Sequence, residues 1–477
     1  MKVLLISPPN VHVIEPFCRA NKTPPPLAVN FPLGLGYLAA ILEKNQFKVE
    51  ILDACYENDI TIEVIEKKIK EFHPDIVGLS VYTALAKTAV KIAQITKEID
   101  SKIKVIAGGP HATYDYKNLL TNYPVDFVVL GEGELTFLEL LNKLRNNETD
   151  FESVKGIAFM KDKVYATDKR PPIENLDSLP YPARHLVDFK KYINSPHLLP
   201  NAAYIVSSRG CSHQCVFCSQ SHFQKKWRPR SPENVIEEMK YLLKTYDDIK
   251  SFQFFDDNFT FKKDRVINIC ELIIKNNLQK YKWNCLARVD QVDLEMMQLM
   301  KQAGCEKISF GVESGSPQVL KNIHKGISLD RIKEAFNLAS RVGIESMAFF
   351  MIGNPGETEE TITESIKFAR KLKSTSTLFG ITQVYPGTGL AEKSPQINFI
   401  EYIYEPEINN SSPFIHPCVA AFEQPGLDRE KLKLIQKGIL KKFLIYHSFR
   451  NFKTYLKHFI RSPINSLKYA SLLFKKI

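Results

Sequence analysis

The chain has 477 residues, 44% hydrophobic and 25% charged, the balance of an ordinary soluble protein with room for two or three domains. Its net charge of +11 sits at one end: residues 427–477 hold 13 Lys/Arg and 2 Asp/Glu, which leaves the rest neutral. That neutrality takes away most of the support for general nucleic-acid binding by the whole protein, and no apolar run reaches membrane-spanning length.

The opening Lys-Val-Leu-Leu-Ile-Ser run stops at Pro8-Pro9, too short for a signal peptide, and reads as a first strand at 2–7. Further apolar strands read at 47–53, 75–81, 103–108 and 126–130, with helical patterns near 33–45, 60–72, 86–99, 114–121 and 134–146. Short buried strands alternating with crossover helices predict a doubly wound parallel sheet of flavodoxin-like type over 1–150, with ligands at the C-terminal strand ends. Gly34-Leu-Gly36 imitates a dinucleotide fingerprint but lies some 25 residues past the first strand, so NAD binding is discounted. The loop between them carries seven prolines and is expected to face a ligand or the next domain.

A hairpin is expected at 154–160 and 164–166, then a proline-rich connector to about 198. Alternation resumes over 199–395. Strands read at 203–207, 251–255, 283–288, 306–311, 346–351 and 378–384, and helices near 232–246, 262–277, 292–303, 328–342 and 358–372. Six βα units predict a partial (β/α)6 TIM-like barrel with its chemistry at the C-terminal strand ends. Residues 396–477 read as a basic, mostly helical segment. Leu432, Ile435, Ile439, Phe443 and Tyr446 form an apolar stripe and Lys433, Lys437 and Lys441 another face, with a stop or kink at Pro463.

The most specific motif is Cys211-Ser-His-Gln-Cys215-Val-Phe217-Cys218. Three thiolates on one short loop can hold three irons of a cubane [4Fe–4S] cluster and leave the fourth open to a ligand. The alternative is a structural zinc knuckle in a non-catalytic interaction module, which lacks a convenient fourth ligand because His213 is too close in sequence. The other six cysteines are scattered and read as buried hydrophobes in a reducing cytoplasm.

This loop, on the first strand of such a barrel, resembles the signature of the radical S-adenosylmethionine (SAM) superfamily. The resemblance implies that the open iron chelates SAM and that an electron splits it to a 5′-deoxyadenosyl radical. It also places SAM against Phe217 and the later strand ends. Asp256, Asp257 and Asn258 would gather the amino group, with an N-cap of the next helix by Asp257 or Asn258 as the alternative. Arg288 would meet the carboxylate or form a structural pair with Asp290. Glu313 and Ser314 would accept from the ribose, Ile352 and Gly353 would flank adenine, and Gln383 would close the sixth strand end.

An N-terminal flavodoxin-like domain before this barrel resembles the cobalamin-binding class of that superfamily, over roughly 1–395. Phe31-Pro-Leu-Gly-Leu-Gly-Tyr-Leu-Ala39, Gly108-Gly-Pro-His-Ala-Thr113 and Gly131-Glu-Gly-Glu134 carry the likeness. It implies cobalamin contacts at Pro8, Leu35, Gly36, Ser80, Tyr82, Thr83, Gly108, Gly109, His111, Gly131, Glu132 and Gly133. No Asp-x-His-x-x-Gly string occurs, so no axial histidine of that kind is expected, and His111 would touch the cofactor's periphery or cap a helix.

The expected function is cobalamin-dependent radical SAM methylation of an unactivated carbon in an unknown small molecule, a lipid or tetrapyrrole among the candidates. A non-methylating oxidation like that of the anaerobic Mg-protoporphyrin monomethyl ester cyclase is the runner-up. A methylthiotransferase is disfavoured, because Cys18 and Cys55 do not supply a second cluster. Implied partners are an external reductant such as flavodoxin or ferredoxin and no nucleic acid. The basic tail either lies on an anionic membrane face or packs on the barrel.

Overall fold

The structure is a computed structural model. It describes residues 1–9, 30–54, 62–194, 199–219, 223, 225–394 and 421–450, with side chains of the last helix through Phe443. The expectations for the proline-rich loop, for Cys18, Cys55 and Cys418, for the Tyr446 side chain and for Pro463 lie outside the described residues. The described chain falls into two units, Met1–Phe189 with 385–394 and Lys190–Val384 with 421–450.

In the first unit β1 (Lys2–Ser7), β2 (Lys48–Asp53), β3 (Ile76–Ser80), β4 (Lys104–Gly108) and β5 (Phe127–Val129) run parallel in the order β2-β1-β3-β4-β5. This is the flavodoxin-like order, which opens a crevice beside the C-terminal ends of β1 and β3. The helices are α1 (Leu33–Lys44), α2 (Ile62–Phe72), α3 (Ala86–Ile99), α4 (Pro110–Asn122) and α5 (Gly133–Arg145). Strand alternation sends Val3, Leu5 and Ile76 to a core shared with α1 and α5, and Leu4, Ile6 and Val77 to a core shared with α2, α3 and α4. Both faces are thus covered, which is why these strands read as unbroken apolar runs.

The expected hairpin forms β6 (Ile157–Met160) and β7 (Val164–Ala166) and extends this sheet antiparallel at β5. Helix α4 begins at Pro110, four residues before its apolar pattern. Gly109, at φ 101°, turns the chain sharply, and Pro110 has the fixed φ of a first helical residue.

The second unit opens with α6 (Phe189–Ile193), which straddles the division, then β8 (Ala202–Ile205), β9 (Ser208–Arg209) and β10 (Arg228–Pro229). There follow α7 (Pro232–Thr245), β11 (Ser251–Phe254), α8 (Lys263–Lys275), β12 (Lys282–Ala287), α9 (Leu294–Gln302) and β13 (Cys305–Glu313). After α10 (Pro317–Asn322) come α11 (Leu329–Val342), β14 (Glu345–Ile352), α12 (Glu359–Lys371) and β15 (Ser376–Ile381). Strands β8, β11, β12, β13, β14 and β15 form one parallel sheet in sequence order, the partial barrel that the pattern predicts. Ser231, Asp293, Ser328 and Thr358 cap α7, α9, α11 and α12 with their side chains, whereas α8 starts after Lys262 without a side-chain cap.

One feature departs from the pattern. Strand β13 runs to Glu313, two residues past the expected end, through a register shift between Gly311 and Glu313 against β14. After α13 (Gly389–Lys393), helix α14 (Arg429–Arg450) lays Leu432, Gln436, Ile439 and Phe443 against the barrel. Gln436 Nε2 donates to Phe379 O of β15 at 2.8 Å, and the Phe443 ring lies 5.3 Å from that of Phe379. Of the two expectations for the basic tail, packing on the barrel is therefore what residues 429–443 do. Leu434, 73% exposed, is the large apolar side chain that points away.

Candidate functional site

The cluster loop is the segment 210–227, bracketed by the antiparallel pairing of β9 with β10. Cys211, Cys215 and Cys218 are free thiols; Cys215 is buried and the other two half-buried. The loop is shaped by a turn in which Cys218 N donates to Cys215 O at 3.1 Å, and Val216 N ties it to Ile323 O at 3.2 Å. Burial pushes the Cys211 and Cys215 thiols up, and the charges of Lys325 and Arg288 pull both down, toward the thiolate a metal needs. Lys325 Nζ also stands over the half-buried Phe217 ring, 6.0 Å from its centroid. Three sulfurs, nearby cations and no disulfide among them suit an iron–sulfur cluster. Among the described residues no three His, Cys, Asp or Glu side chains converge on a single ion.

The end of β11 splits its predicted roles. Asp256 is buried and clamps the chain before the cysteines, accepting from Ser207 N, Ser207 Oγ and Ser208 Oγ, each at 2.6 Å. Asp257 is exposed at the mouth. Surrounding protein, with the Asp256 charge adding, raises its carboxyl to about 6 against the opposing amide of Gly210. Asn258 is buried; its amide donates to Gln291 Oε1 at 2.6 Å, and Gln291 Nε2 lies 3.3 Å from His213 Nε2 in the cluster loop. Burial, then the Arg288 charge, lowers the affinity of His213 for a proton.

Arg288 forks onto Asp290 with two bonds of 3.0 Å and donates to Lys325 O at 3.0 Å, so the structural pair forms. Glu313, in the left-handed region at φ 67°, accepts from Lys325 Nζ at 2.7 Å. Ser314 is fully buried, and its hydroxyl joins Ser365 Oγ at 3.1 Å and accepts from Ser316 N at 3.1 Å, inside the packing of β13 on α12.

Ile352 is fully buried, and Gly353 follows at φ 84°. A Cβ there would come within 2.8 Å of Leu432 Cδ1, so α14 leaves room for glycine alone. Gly353 N and Asn354 N both donate to Glu357 Oε2, at 2.6 and 3.0 Å. Burial lifts that carboxyl to about 7 in spite of the two amides. Gln383 is half-buried and bridges to Ala421.

At the C-terminal edge of the first sheet stand Ser80, Tyr82 (55% exposed), Gly108, Gly109 and Gly131. Gly109 packs so close that a Cβ would lie 3.0 Å from Val81 O, and Gly131 N donates to Thr113 Oγ1 at 3.0 Å. Other residues expected at this edge are turned inward. Pro8, Leu35 and Thr83 are buried, and Gly36 is wedged between the Phe31 ring and Pro182. Glu132 accepts from Ile173 N of the connector at 2.8 Å, and Gly133 packs beside Leu38. His111 is buried, with Nδ1 3.3 Å from Thr83 Oγ1 and Nε2 3.3 Å from Asp115 Oδ2, so it braces the start of α4.

Sequence reasoning missed Lys325, Gln291 and Gln424. Gln424 accepts from Gly356 N at 2.9 Å, and its amide donates to Asn354 O at 2.8 Å. No motif marks them, because each matters through a partner far away in sequence.

Residues 205–369 match the radical SAM superfamily and residues 28–141 the B12 binding domain. An uncharacterized methyltransferase of Pyrococcus horikoshii is 38% identical over 395 residues, covering 82% of this chain and 83% of the relative. The anaerobic magnesium-protoporphyrin IX monomethyl ester cyclase of Rubrivivax gelatinosus is 33% identical over 350 residues, 71% of this chain and 62% of the cyclase. Among solved structures, the radical SAM methyltransferase TsrM of Kitasatospora setae, with cobalamin and a [4Fe–4S] cluster bound, shares the fold at TM-score 0.68 and 20% identity, over 82% of this chain and 78% of that one. OxsB, a cobalamin-dependent SAM radical enzyme solved with aqua-cobalamin and SAM, aligns at TM-score 0.66 and 25% identity, over 78% of this chain and 52% of that one.

The three-cysteine barrel joined to a B12-binding sheet thus defines a radical SAM enzyme with a second, corrin cofactor. This chain belongs to the cobalamin-binding, methyltransferase-like radical SAM family, and its cofactors are a [4Fe–4S] cluster, SAM and cobalamin.

Proposed function

We propose that this enzyme methylates an unactivated carbon of a small molecule. The single observation that carries the reading is the loop 211–218, with three cysteines outside any disulfide and the Arg288 and Lys325 charges acting on Cys211 and Cys215. When bound, the cofactors supply one-electron cleavage of a sulfonium and a transferable methyl group. Cys211, Cys215 and Cys218 hold the irons, and Asp257, open at the mouth, takes the SAM ammonium. Glu313, oriented by Lys325, accepts from the ribose, and the Ile352–Gly353 turn frames adenine. Asp256, Asn258 and Ser314 act as positioning residues, because their bonds run to protein. Ser80, Tyr82, Gly108, Gly109 and Gly131 offer cobalamin an edge of backbone and one exposed aromatic ring.

No helix among the described residues is long and apolar enough to cross a membrane. A reducing cytoplasm with flavodoxin or ferredoxin as the electron donor suits this chemistry. The cyclase similarity favours non-methylating oxidation as the second reading. Anaerobic, reconstituted protein given methyl-labelled SAM and a cell extract separates the two. Label in a small-molecule product supports methylation; deoxyadenosine without transferred label supports the second reading. Deoxyadenosine from a Cys211/Cys215/Cys218→Ala variant would overturn both.

A further inference from the structure

The turn Gly353–Glu357 leaves β14 at the mouth of the barrel and is held from several sides. Glu357 gathers the Gly353 and Asn354 amides, Asn354 Oδ1 accepts from Thr382 Oγ1 at 3.0 Å, and Asn322 Nδ2 donates to Pro355 O at 2.9 Å. Three further bonds come from one side chain beyond the last barrel strand. Gln424 Oε1 accepts from Gly356 N at 2.9 Å, and Gln424 Nε2 donates to Asn354 O at 2.8 Å and Glu357 O at 3.2 Å. Its own backbone is anchored. Leu427 N donates to Gln424 O at 3.0 Å, closing a turn through Gly426 at φ 80°, and Phe422 N joins Thr382 O of the sixth-strand extension at 2.9 Å. Behind the turn, Leu432 fills the space that a Gly353 side chain would need.

We infer that Gln424 is a positioning residue for SAM: it locks the backbone that frames adenine, which makes the turn 422–427 part of the SAM site. A primary amide is suited to this, since it offers an acceptor to an N–H and donors to carbonyls at one end of one side chain. A surface cap would need one such bond; this side chain satisfies three groups of a single five-residue turn. The inference rests on the proposed reading that the turn after Ile352 frames the base.

The test uses the full-length chain with its cluster reconstituted, comparing Gln424→Met, which keeps length and loses the bonds, with Gln424→Glu, which keeps only the acceptor. Gly353→Ala, whose Cβ meets Leu432, is the control that displaces the same turn from its other side. In Gln424→Met the Gly356 amide is expected to exchange with solvent faster even without cofactors. The dissociation constant for SAM, measured by equilibrium dialysis, is expected to rise about tenfold, the scale of one or two lost hydrogen bonds. The turnover number for deoxyadenosine formation and the iron–sulfur absorbance stay as they are. Gln424→Glu should fall between Met and the native residue. SAM affinity unchanged in Gln424→Met but weakened in Gly353→Ala overturns the role of Gln424 and leaves the adenine reading standing. Affinity unchanged in both overturns the adenine reading itself. A lower turnover number with lost cluster absorbance also overturns the inference, since Gln424 would then support the barrel as a whole.

Discussion

Lys325 Nζ lies 2.7 Å from Glu313 Oε1, with both side chains at most 10% exposed, in a part of the barrel that neither charge could enter alone. Glu313 is also one of the non-glycine residues at positive φ, so the ion pair holds a backbone conformation that an unpaired residue would relax. Arg288 donates to the Lys325 carbonyl, and the neighbouring Ile323 carbonyl receives Val216 of the cluster loop. Through these bonds the third and fourth strand ends and the cysteine loop share one scaffold.

Lys325→Met should therefore be costly. It leaves a carboxylate buried without its cation, a change of about 3–5 kcal/mol. Thermal melting of the cluster-loaded protein should show a clear loss, and Lys325→Met combined with Glu313→Gln should recover much of it. Equal melting of the single and double variants would count against the pair.

The Glu357 carboxyl gives stability a pH dependence of unusual sign. Burial raises it from the ordinary 4.5 to about 7 in the folded chain. Between those values the folded chain keeps a proton that the unfolded chain releases, so stability falls as pH climbs through the window and is level above it. The full effect is on the order of 3 kcal/mol. Glu357→Gln lacks this titration, so its melting temperature relative to the native protein should rise from pH 5 to pH 7. Parallel melting curves across that range would contradict the assignment.

Gly109→Ala tests the first sheet's ligand edge. The new Cβ would sit 3.0 Å from Val81 O at φ 101°, and relief requires the β4–α4 turn to move. A cost of about 1–3 kcal/mol is expected; after reconstitution with cobalamin, corrin absorbance should travel with the native protein through gel filtration and be lost from the variant. SAM cleavage by the cluster should persist.

Leu432→Ala examines how the C-terminal helix is used. The side chain is fully buried against Gly353, and truncation should cost about 2–5 kcal/mol in melting experiments. Sedimentation with anionic vesicles should not change, because this face already packs on protein.

Much of the architecture was legible because each strand is a short apolar run between amphipathic helices, four of them with side-chain caps in the barrel. The exceptions have local causes. The first turn of α4 is Pro-His-Ala-Thr, too polar to extend its apolar stripe, although the Gly-Pro pair before it was a start signal. The hairpin 157–166 was readable as a hairpin, but its docking on β5 was not, since local patterning does not name a strand's outer partner. The stripe on α14 was visible too, yet leucines with lysines opposite look alike whether they meet lipid or a barrel. At the site, the three cysteines announce themselves by spacing. Asp256 and Ser314 have the residue types of ligand contacts, but their bonds to Ser207 and Ser365 depend on chain brought in from 49 and 51 residues away.

The pairing of Ser208–Arg209 with Arg228–Pro229 has a bearing on how the enzyme matures. Strands paired at both feet of the loop shorten the span of chain left to order, so part of the entropic cost of placing the cysteines is met by folding of the barrel. Iron loading then acts on a segment whose ends are already fixed.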